Sequence, residues 1–278
     1  MERGPYRLFN RFYLATKNTK KHKGEYASME ETLDDVITGK SEEPPRLIVY
    51  GTEGIGKSTF GASAPNPIFV QTEDGLGQIG CARMKLATSL EDVVAQLKRI
   101  RDVNHSYQTL VIDSLDWLEQ LIFEVVCREY GCKNIERVDG GFGHGYQHAR
   151  DKWKKEIVPL LNEIRNKRNM AIILLSHSRE EKFDDPEYPA YDRHAPRLNK
   201  LACGYLCDWA DAVMFATTRK RRDSDSGKIV PVGADGGERI LRCIGSATCI
   251  AKNRYGLPLE IPFTWTGFIE AVKAAGKN

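Results

Sequence analysis

The sequence lacks an apolar stretch long enough to cross a membrane, and its first residues lack the apolar core of a secretory signal peptide. We therefore expect a cytoplasmic protein with no membrane partner. The 278 residues are 41% hydrophobic and 28% charged, which is typical of an ordinary globular protein. The formal net charge is only +3, so the composition neither requires nor excludes a nucleic-acid partner.

Clustered metal ligands are also missing from the sequence. The seven cysteines include no C-x-x-C pair, and no group of histidines accompanies them. Cys203 and Cys207 lie four positions apart on a predicted helix, and Cys127 and Cys132 flank a helix end. Either pair supplies at most half of a metal site, so we interpret these residues as reduced, buried thiols.

One segment matches a chemical motif at every fixed position. Residues 51–58, directly behind the apolar run 47–50, fit the phosphate-loop pattern G-x-x-x-x-G-K-[ST]. The glycines let backbone N–H groups point at phosphate oxygens, Lys57 reaches the outer phosphates, and the Ser58 hydroxyl ligates magnesium. The predicted triphosphate-binding residues are Gly51, Thr52, Glu53, Gly54, Ile55, Gly56, Lys57, Ser58 and Thr59, with ATP and Mg²⁺ as the expected ligands.

From residue 46 onward, short apolar strands alternate with helical segments, which is typical of a mostly parallel central sheet flanked by helices. We therefore predict one α/β domain over residues 46–278. Predicted strands are 47–50, 68–72, 109–112, 170–175, 210–216 and 250–256, and predicted helices begin at 57 and 89 and span 115–130, 147–168 and 266–275. A glycine-rich loop is expected at 131–145, a long structureless loop at 178–197 and a polar hairpin at 219–239.

Residues 1–45 differ from the rest of the chain. The first 23 residues are basic, residues 24–43 are acidic, and the apolar residues keep no clear period. We interpret this segment as an N-terminal extension. A flexible solvated arm and a nucleic-acid contact are both open as its role.

Polar side chains follow three of the predicted strands. Asp113 is a candidate magnesium ligand, because we expect its strand to lie beside the phosphate-loop strand; helix capping is the alternative role. Glu73 is a candidate to accept a proton from the attacking water, with Asp74 or a simple acidic turn as alternatives. His177 ends the buried strand at the same edge, where it would contact the γ-phosphate; a histidine that is merely hydrogen-bonded by the backbone is the equal alternative.

Two cations lie far along the chain from the phosphate loop. Lys252 and Arg254 occupy alternate positions of a predicted strand and so project to the same face. Cations in this arrangement suit charge donation to a transferring phosphoryl group, in trans if they lie at a subunit edge. Solvated surface cations are the alternative interpretation.

Several blocks of the sequence, in their order and spacing, carry a resemblance to a known family. They are GTEGIGKST, FVQTEDGL, TLVIDSLDWLE, LLSHSREEKF, YDRHAPRL, WADAVMFA and AKNRYGLP. Over residues 46–262 the chain resembles the phage-encoded P-loop nucleotide-binding proteins, the RecA-like group that includes Sak-type single-strand annealing recombinases. The segment 1–45 has no counterpart in that pattern.

The resemblance implies roles for particular residues. Glu73 would activate water, His177 would sense the γ-phosphate, and Lys252 with Arg254 would reach a neighbouring subunit's nucleotide, which implies a ring or filament. The segments 132–148 and 178–198 would contact single-stranded DNA. Aromatic side chains that would stack on its bases are Phe142, Tyr146, Tyr188 and Tyr191, although local packing is an equal alternative.

These observations predict a magnesium-dependent, DNA-stimulated RecA-like ATPase that acts on single-stranded DNA in phage recombination or replication, in the bacterial host cytoplasm. One alternative is a P-loop kinase of a small molecule, for which residues 219–222 are the lid candidate. The other is a non-catalytic, nucleotide-dependent DNA-binding or assembly module.

Overall fold

The computed structural model describes residues 38–39, 43–224, 227–233 and 237–276. Its strands are β1 (Arg46–Gly51), β2 (Pro67–Gln71), β3 (Ala82–Arg83), β4 (Thr109–Asp113), β5 (Ala171–Phe183), β6 (Tyr191–Pro196), β7 (Ala212–Thr218), β8 (Lys220–Arg222), β9 (Ile229–Pro231), β10 (Arg239–Arg242), β11 (Lys252–Asn253) and β12 (Glu260–Pro262). Its helices are α1 (Lys57–Ala62), α2 (Leu90–Asp102), α3 (Leu115–Glu129), α4 (His144–Lys152), α5 (Val158–Arg168), α6 (Lys200–Trp209) and α7 (Trp265–Ala275). A 3-10 helix spans Ile135–Gly140 and a π-helical turn spans Trp153–Ile157.

The central sheet has the strand order β12-β10-β7-β1-β5-β4-β2-β3. The pairings of β1 with β5 and β7, of β4 with β5 and β2, and of β2 with β3 are parallel. Antiparallel pairs occur where β10 joins β7 and β12, and where β11 joins β7. The predicted α/β class, with a mostly parallel sheet flanked by helices, is confirmed.

Strand β1 is buried on both faces because helices cover both sides of the sheet. Ile48 and Tyr50 point to the apolar layer that contains α2 to α6. Leu47 and Val49 alternate to the opposite layer, where they pack with Phe60 of α1 and with residues of α7. Continuous apolar runs in β1, β4 and the first half of β5 are therefore a consequence of two-sided burial.

The expectation that the strand of Asp113 lies beside the phosphate-loop strand was wrong. Strand β5 lies between β1 and β4 and pairs with both of them in parallel. The apolar periodicity of each strand shows burial but carries no information on the order of strands in the sheet, which the crossover connections decide.

The expected structureless loop at 178–197 was also wrong. Strand β5 continues to Phe183 and pairs antiparallel with β6, with Glu181 opposite Arg193. The Arg193 guanidinium contacts the Glu181 carboxylate at 2.9 Å and lies 4.1 Å from the centre of the Phe183 ring. Cross-strand charge pairs and a cation–π contact stabilise this polar hairpin without the apolar alternation that would have predicted it.

Other segments agree with prediction in part. The hairpin expected at 219–239 contains β8 and β9, and the helix expected at 147–168 is a longer run from His144 to Arg168. The glycine-rich loop at 131–145 contains a 3-10 helix, and the strand expected at 250–256 is reduced to Lys252–Asn253. The short strands β10 and β12 were not predicted. The extension predicted at 1–45 lies outside the described residues, apart from 38–39 and 43–45.

The described residues from Pro45 onward form one compact unit, and none of their helices is long and apolar enough to cross a membrane. A buried ion pair links the amino-terminal ends of β1 and β7. The Asp211 carboxylate, which is 8% exposed, accepts hydrogen bonds from the Arg46 backbone N–H at 3.0 Å and from the Arg46 guanidinium at 2.7 Å. The Arg165 guanidinium of α5 approaches the same carboxylate at 3.8 Å.

Replacing Asp211 with alanine is expected to lower the free energy of unfolding by about 3–5 kcal/mol, since it removes a buried carboxylate that accepts hydrogen bonds from the Arg46 backbone N–H and from two guanidinium groups. Urea unfolding monitored by circular dichroism measures the change. Asp208→Ala is the matched control, because Asp208 is exposed and only its backbone oxygen accepts the hydrogen bonds described for it. Equal stability of the two variants would contradict the prediction.

Candidate nucleotide-binding site

The phosphate loop connects the end of β1 to the start of α1, as the motif requires. Gly54 and Gly56 have φ angles of 72° and 107°, in the region that favours glycine. A Cβ atom on Gly51 would lie 2.5 Å from the carbonyl oxygen of Ala216 on β7, so a side chain there would push the neighbouring strand away. The glycines of the motif therefore have a conformational role and a packing role.

Lys57 is folded back over the loop. Its Nζ atom donates to the carbonyl oxygens of Gly51 and Thr52 at 3.1 and 2.9 Å. Burial lowers the pKa of Lys57, while nearby carboxylates, Asp113 foremost, act in the opposite direction. The ammonium group is thus held at the position from which it can reach a bound phosphate.

Ser58 and Asp113 meet although β5 separates their strands. The Ser58 hydroxyl donates to Asp113 Oδ2 at 2.6 Å. Burial raises the pKa of Asp113, with Glu73 acting in the same direction and the Ser58 hydrogen bond opposing. A divalent cation bound here would favour the ionised carboxylate.

The residues present fit a magnesium ion that is held largely by phosphates. Mg²⁺ prefers oxygen ligands and usually takes only one or two from the protein, with phosphates and water supplying the others. Ser58 and Asp113 provide that pair of oxygens. The part of the chain that the structure describes contains no cluster of three or more His, Cys, Asp or Glu residues able to hold a metal.

The loop opens on a cavity of about 340 Å³ that also contains the other predicted side chains of this sheet edge. Glu73 follows β2, Asp113 ends β4 and His177 lies on β5, and all three line the cavity. Asp74, the alternative to Glu73, is exposed and is not among the lining residues. The geometry therefore favours Glu73 over Asp74. The lining residues are Glu53, Gly54, Gly56, Lys57, Ser58, Thr59, Glu73, Gly75, Ile79, Asp113 and His177.

His177 is held by a carboxylate that sequence reasoning missed. Asp116 Oδ1 accepts from the His177 backbone N–H at 3.0 Å, and Asp116 Oδ2 lies 2.9 Å from His177 Nδ1. Because an ionised carboxylate only accepts, Nδ1 is assigned as the protonated nitrogen and Nε2 is left to meet a ligand. Asp116 lies in the first turn of α3, three positions after Asp113, and this spacing was the only sequence signal for it.

Arg197 extends the contact from Asp116 to the phosphate loop. Its guanidinium donates to Asp116 Oδ2 at 2.8 Å and to Glu53 Oε1 at 3.3 Å. Burial alone would raise the pKa of Asp116, but hydrogen bonds from His177 and Arg197 outweigh it and hold that pKa well below the usual range. The carboxylate is therefore ionised, and it joins α3, β5 and the end of the β5–β6 hairpin at one point.

The structure places Lys252 and Arg254 at the other edge of the sheet. β11 pairs with the first residues of β7, whereas the phosphate loop follows the last residue of β1. Lys252 Nζ donates to the carbonyl oxygens of Cys207 and Asp208, and Arg254 donates to Asp208 O and Asp211 Oδ1. Both cations thus bind the end of α6 and do not line the cavity of their own chain. A contact with a neighbouring subunit stays a prediction.

The four aromatic residues predicted to meet DNA divide into two pairs. Phe142 is 97% exposed and Tyr188 is 68% exposed. Tyr146 packs edge-on against Phe123 with ring centres 5.6 Å apart, and Tyr191 lies 5.4 Å from Phe183. Tyr146 and Tyr191 are therefore held by local packing. The exposed pair, Phe142 and Tyr188, stays a prediction for stacking on DNA bases.

The phosphate loop, the Ser58–Asp113 contact and the order β7-β1-β5-β4-β2 define an α/β P-loop nucleotide-binding domain. The chain belongs to the AAA domain family AAA_24, which matches residues 43–255. It therefore carries an ATPase-type domain, and the predicted P-loop α/β class is confirmed. Membership of the narrower Sak-type group stays a prediction.

One curated relative is the "SPbeta prophage-derived uncharacterized protein YorG" of Bacillus subtilis (strain 168). It is 25% identical over 186 residues, which are 66% of this chain and 53% of the relative, so the chain spans about half the relative's length. Among solved structures, a crystal structure of the RadB recombinase is similar to 85% of this chain and 95% of its own, with 14% identity and a TM-score of 0.40.

A buried carboxyl beside the site gives a pH-dependent prediction. Burial raises the pKa of Glu119 to about 7, although the Asn199 N–H donates to it, and its Oε1 atom has no partner within the described residues. The folded chain thus binds the Glu119 proton more tightly than the unfolded chain does. The contribution of protonated Glu119 to the free energy of unfolding is therefore fully present below the unfolded pKa, near 4.3, and falls as pH rises to 7.

Glu119→Gln is expected to remove this pH-dependent loss of unfolding free energy, which is on the order of 2–3 kcal/mol between pH 5 and pH 8. Urea unfolding of the variant and the wild type at both pH values measures it. Glu124→Gln, an exposed change on the same helix, is the control and should follow the wild type. Parallel pH profiles for all three proteins would show that Glu119 is ionised in the folded state.

Proposed function

We propose that this protein is a magnesium-dependent ATPase that acts on single-stranded DNA, in the recombination or replication of a phage. The observation that carries the ATPase part is the convergence of Lys57, the Ser58–Asp113 pair and Glu73 on one cavity at the carboxyl edge of the sheet. A phosphate loop alone supports binding, whereas hydrolysis also needs a metal anchor and a group that positions water.

Each group has a distinct part in the proposed reaction. The loop amides and Lys57 would hold the phosphates, and Ser58 and Asp113 would hold a magnesium ion that would supply neutralising charge. Glu73 accepts a proton from the water that attacks the γ-phosphorus as the bond to the ADP oxygen breaks. Asp116 orients His177, which donates to the γ-phosphate when its free nitrogen carries a proton.

Support for DNA comes from the β5–β6 hairpin and from two exposed aromatic rings. The β5–β6 hairpin begins immediately after His177, and its last strand is followed by Arg197, which contacts Glu53 of the loop. Tyr188 lies at the turn of this hairpin, and Phe142 precedes α4. Exposed aromatic rings suit stacking on unpaired bases, which does not depend on base identity.

Assembly into a ring or filament is part of the proposal through Lys252 and Arg254. In one chain these cations bind the end of α6 at the sheet edge remote from the phosphate loop. They would serve catalysis only at a neighbouring subunit's nucleotide, after exchanging those carbonyl contacts for phosphate oxygens. Among the described residues that line the chain's own cavity, Lys57 is the one lysine or arginine.

A small-molecule kinase is less well supported. The lid candidate, residues 219–222, contains β8, and β8 is paired with β9. Arg219 is bound by the carboxylates of Glu238 at 2.7 Å and Glu260 at 3.1 Å. This arginine therefore already has carboxylate partners, whereas a lid needs guanidinium groups that turn toward the phosphates.

Glu73→Gln is expected to retain ATP affinity and to lose turnover by roughly 10²–10⁴-fold, because the amide cannot accept the proton from water. Phosphate release with and without single-stranded DNA, and ATP binding by calorimetry, measure the two effects. Asp74→Asn is the matched control and should keep wild-type turnover; Lys57→Ala should lose binding or turnover. A fully active Glu73→Gln protein would remove Glu73 from the mechanism, and turnover unaffected by DNA would contradict the DNA-linked part of the proposal.

The double variant Phe142→Ala, Tyr188→Ala is expected to weaken single-stranded DNA binding by roughly tenfold or more, since base stacking on one aromatic ring contributes about 1–3 kcal/mol. Fluorescence anisotropy with a labelled oligonucleotide measures the affinity. Ile229→Ala is the control, because Ile229 is 64% exposed but lies on the β8–β9 hairpin. Equal affinities of the double variant and the control would exclude these rings from DNA binding.

A further inference from the structure

An arginine far along the chain lies against the phosphate loop. A Cβ atom placed on Gly56 would lie 3.1 Å from NH1 of Arg239 and 3.8 Å from Cε1 of Phe263. Arg239 is exposed, and its guanidinium makes no hydrogen bond or ion pair with any residue that the structure describes. A cationic plane is therefore held beside the loop without a protein partner.

Sheet pairing explains how these two residues reach the loop. β10 runs antiparallel to β7, so Arg239, its first residue, lies opposite Thr218 at the edge where the phosphate loop follows β1. β12 runs antiparallel to β10, and the Phe263 N–H that follows it donates to the Arg239 carbonyl oxygen at 3.2 Å. The backbone of both residues is thus fixed by regular strand pairing.

The Phe263 ring is also fixed in place. It stacks on Phe60 of α1, with ring centres 5.4 Å apart and planes inclined by 25°. Phe60 in turn contacts Trp265 at 6.0 Å. This aromatic cluster leaves Phe263 partly exposed beside Gly56, so an apolar surface borders the guanidinium.

The strand order shows which end of a nucleotide these residues would meet. Glu73 follows β2, Asp113 ends β4 and His177 lies on β5, and these three strands are all on one side of β1. Arg239 begins β10 and Phe263 follows β12, and both of these strands are on the other side of β1. Since the first three residues line the cavity where the proposed function places the reacting phosphate, the nucleoside end of the triphosphate would extend across the loop toward β10.

We propose that Arg239 and Phe263 form the nucleoside subsite, in which the guanidinium plane and the aromatic ring contact the purine base of the bound nucleotide. This inference rests on the nucleotide-binding part of the proposed function. Guanidinium groups and aromatic rings both stack on nucleobases, and the contact is strongest when water is excluded from it. Gly56 fits the same picture, because a Cβ atom there would lie 3.1 Å from the guanidinium, closer than an ordinary van der Waals contact.

Affinity for ATP and for inorganic tripolyphosphate, each with Mg²⁺, separates contact with the base from contact with the phosphates. Arg239→Ala is expected to raise the Kd for ATP about 3- to 30-fold and to leave the Kd for tripolyphosphate within about twofold. Arg239→Lys should behave like the alanine variant, because lysine keeps the charge but lacks the plane. Arg221→Ala, which removes an exposed cation from β8, is the control for net charge.

Two results would overturn the proposal. An equal loss of affinity for both ligands, restored by Arg239→Lys, would show a charge contact with phosphate, and an unchanged Kd for both ligands would show no contact. Phe263→Leu should also weaken ATP binding selectively, with a thermal melt to confirm folding. These measurements need no turnover and no DNA, so ATP binding without hydrolysis would contradict the proposed function alone. Normal ATP binding by Arg239→Ala in an active enzyme would contradict the nucleoside subsite alone.

Discussion

Strand β1 is paired on both sides, with β5 and with β7, and both pairings are parallel. Parallel pairing brings the carboxyl ends of β2, β4 and β5 to the edge where the phosphate loop begins, which is where Glu73, Asp113 and His177 follow or end those strands. The pairing depends on burial of the sheet between two layers of helices, since Ile48 and Leu47 point into opposite apolar layers. Each part of the candidate site therefore depends on this sheet.

Electrostatic contacts then join the edges of the sheet to its surroundings. At the carboxyl edge, Asp116 holds His177 and Arg197, and Arg197 reaches Glu53 of the phosphate loop. At the amino edge, Asp211 holds Arg46 and Arg254. Both carboxylates have a pKa below the usual range, because hydrogen bonds to cationic partners outweigh the effect of burial. The two edges thus have separate ionic networks, one beside the nucleotide and one beside the predicted subunit contact.

Much of the site could be predicted because the phosphate loop is a local motif, in which backbone conformation and chemistry reside in consecutive residues. Asp116 and Arg197 could not be predicted, because their contacts join distant segments of the chain. His177 lies 61 positions after Asp116, and Arg197 lies 81 positions after it. Arg239 was missed for the same reason, because only the antiparallel pairing of β10 with β7 brings it to Gly56. The β5–β6 hairpin was missed because its stabilising pairs are charged and lack apolar alternation.

The sequence by itself determined the phosphate loop, the strand and helix segments around it, and the residues that end the core strands, because glycine conformation and apolar periodicity act over a few residues. Only the tertiary structure decided that β5 separates β1 from β4, that Asp116 orients His177, and that Lys252 and Arg254 lie away from their own cavity. Strand order and contacts between distant segments depend on how crossover connections pack the layers. The apolar periodicity of a segment does not specify that packing.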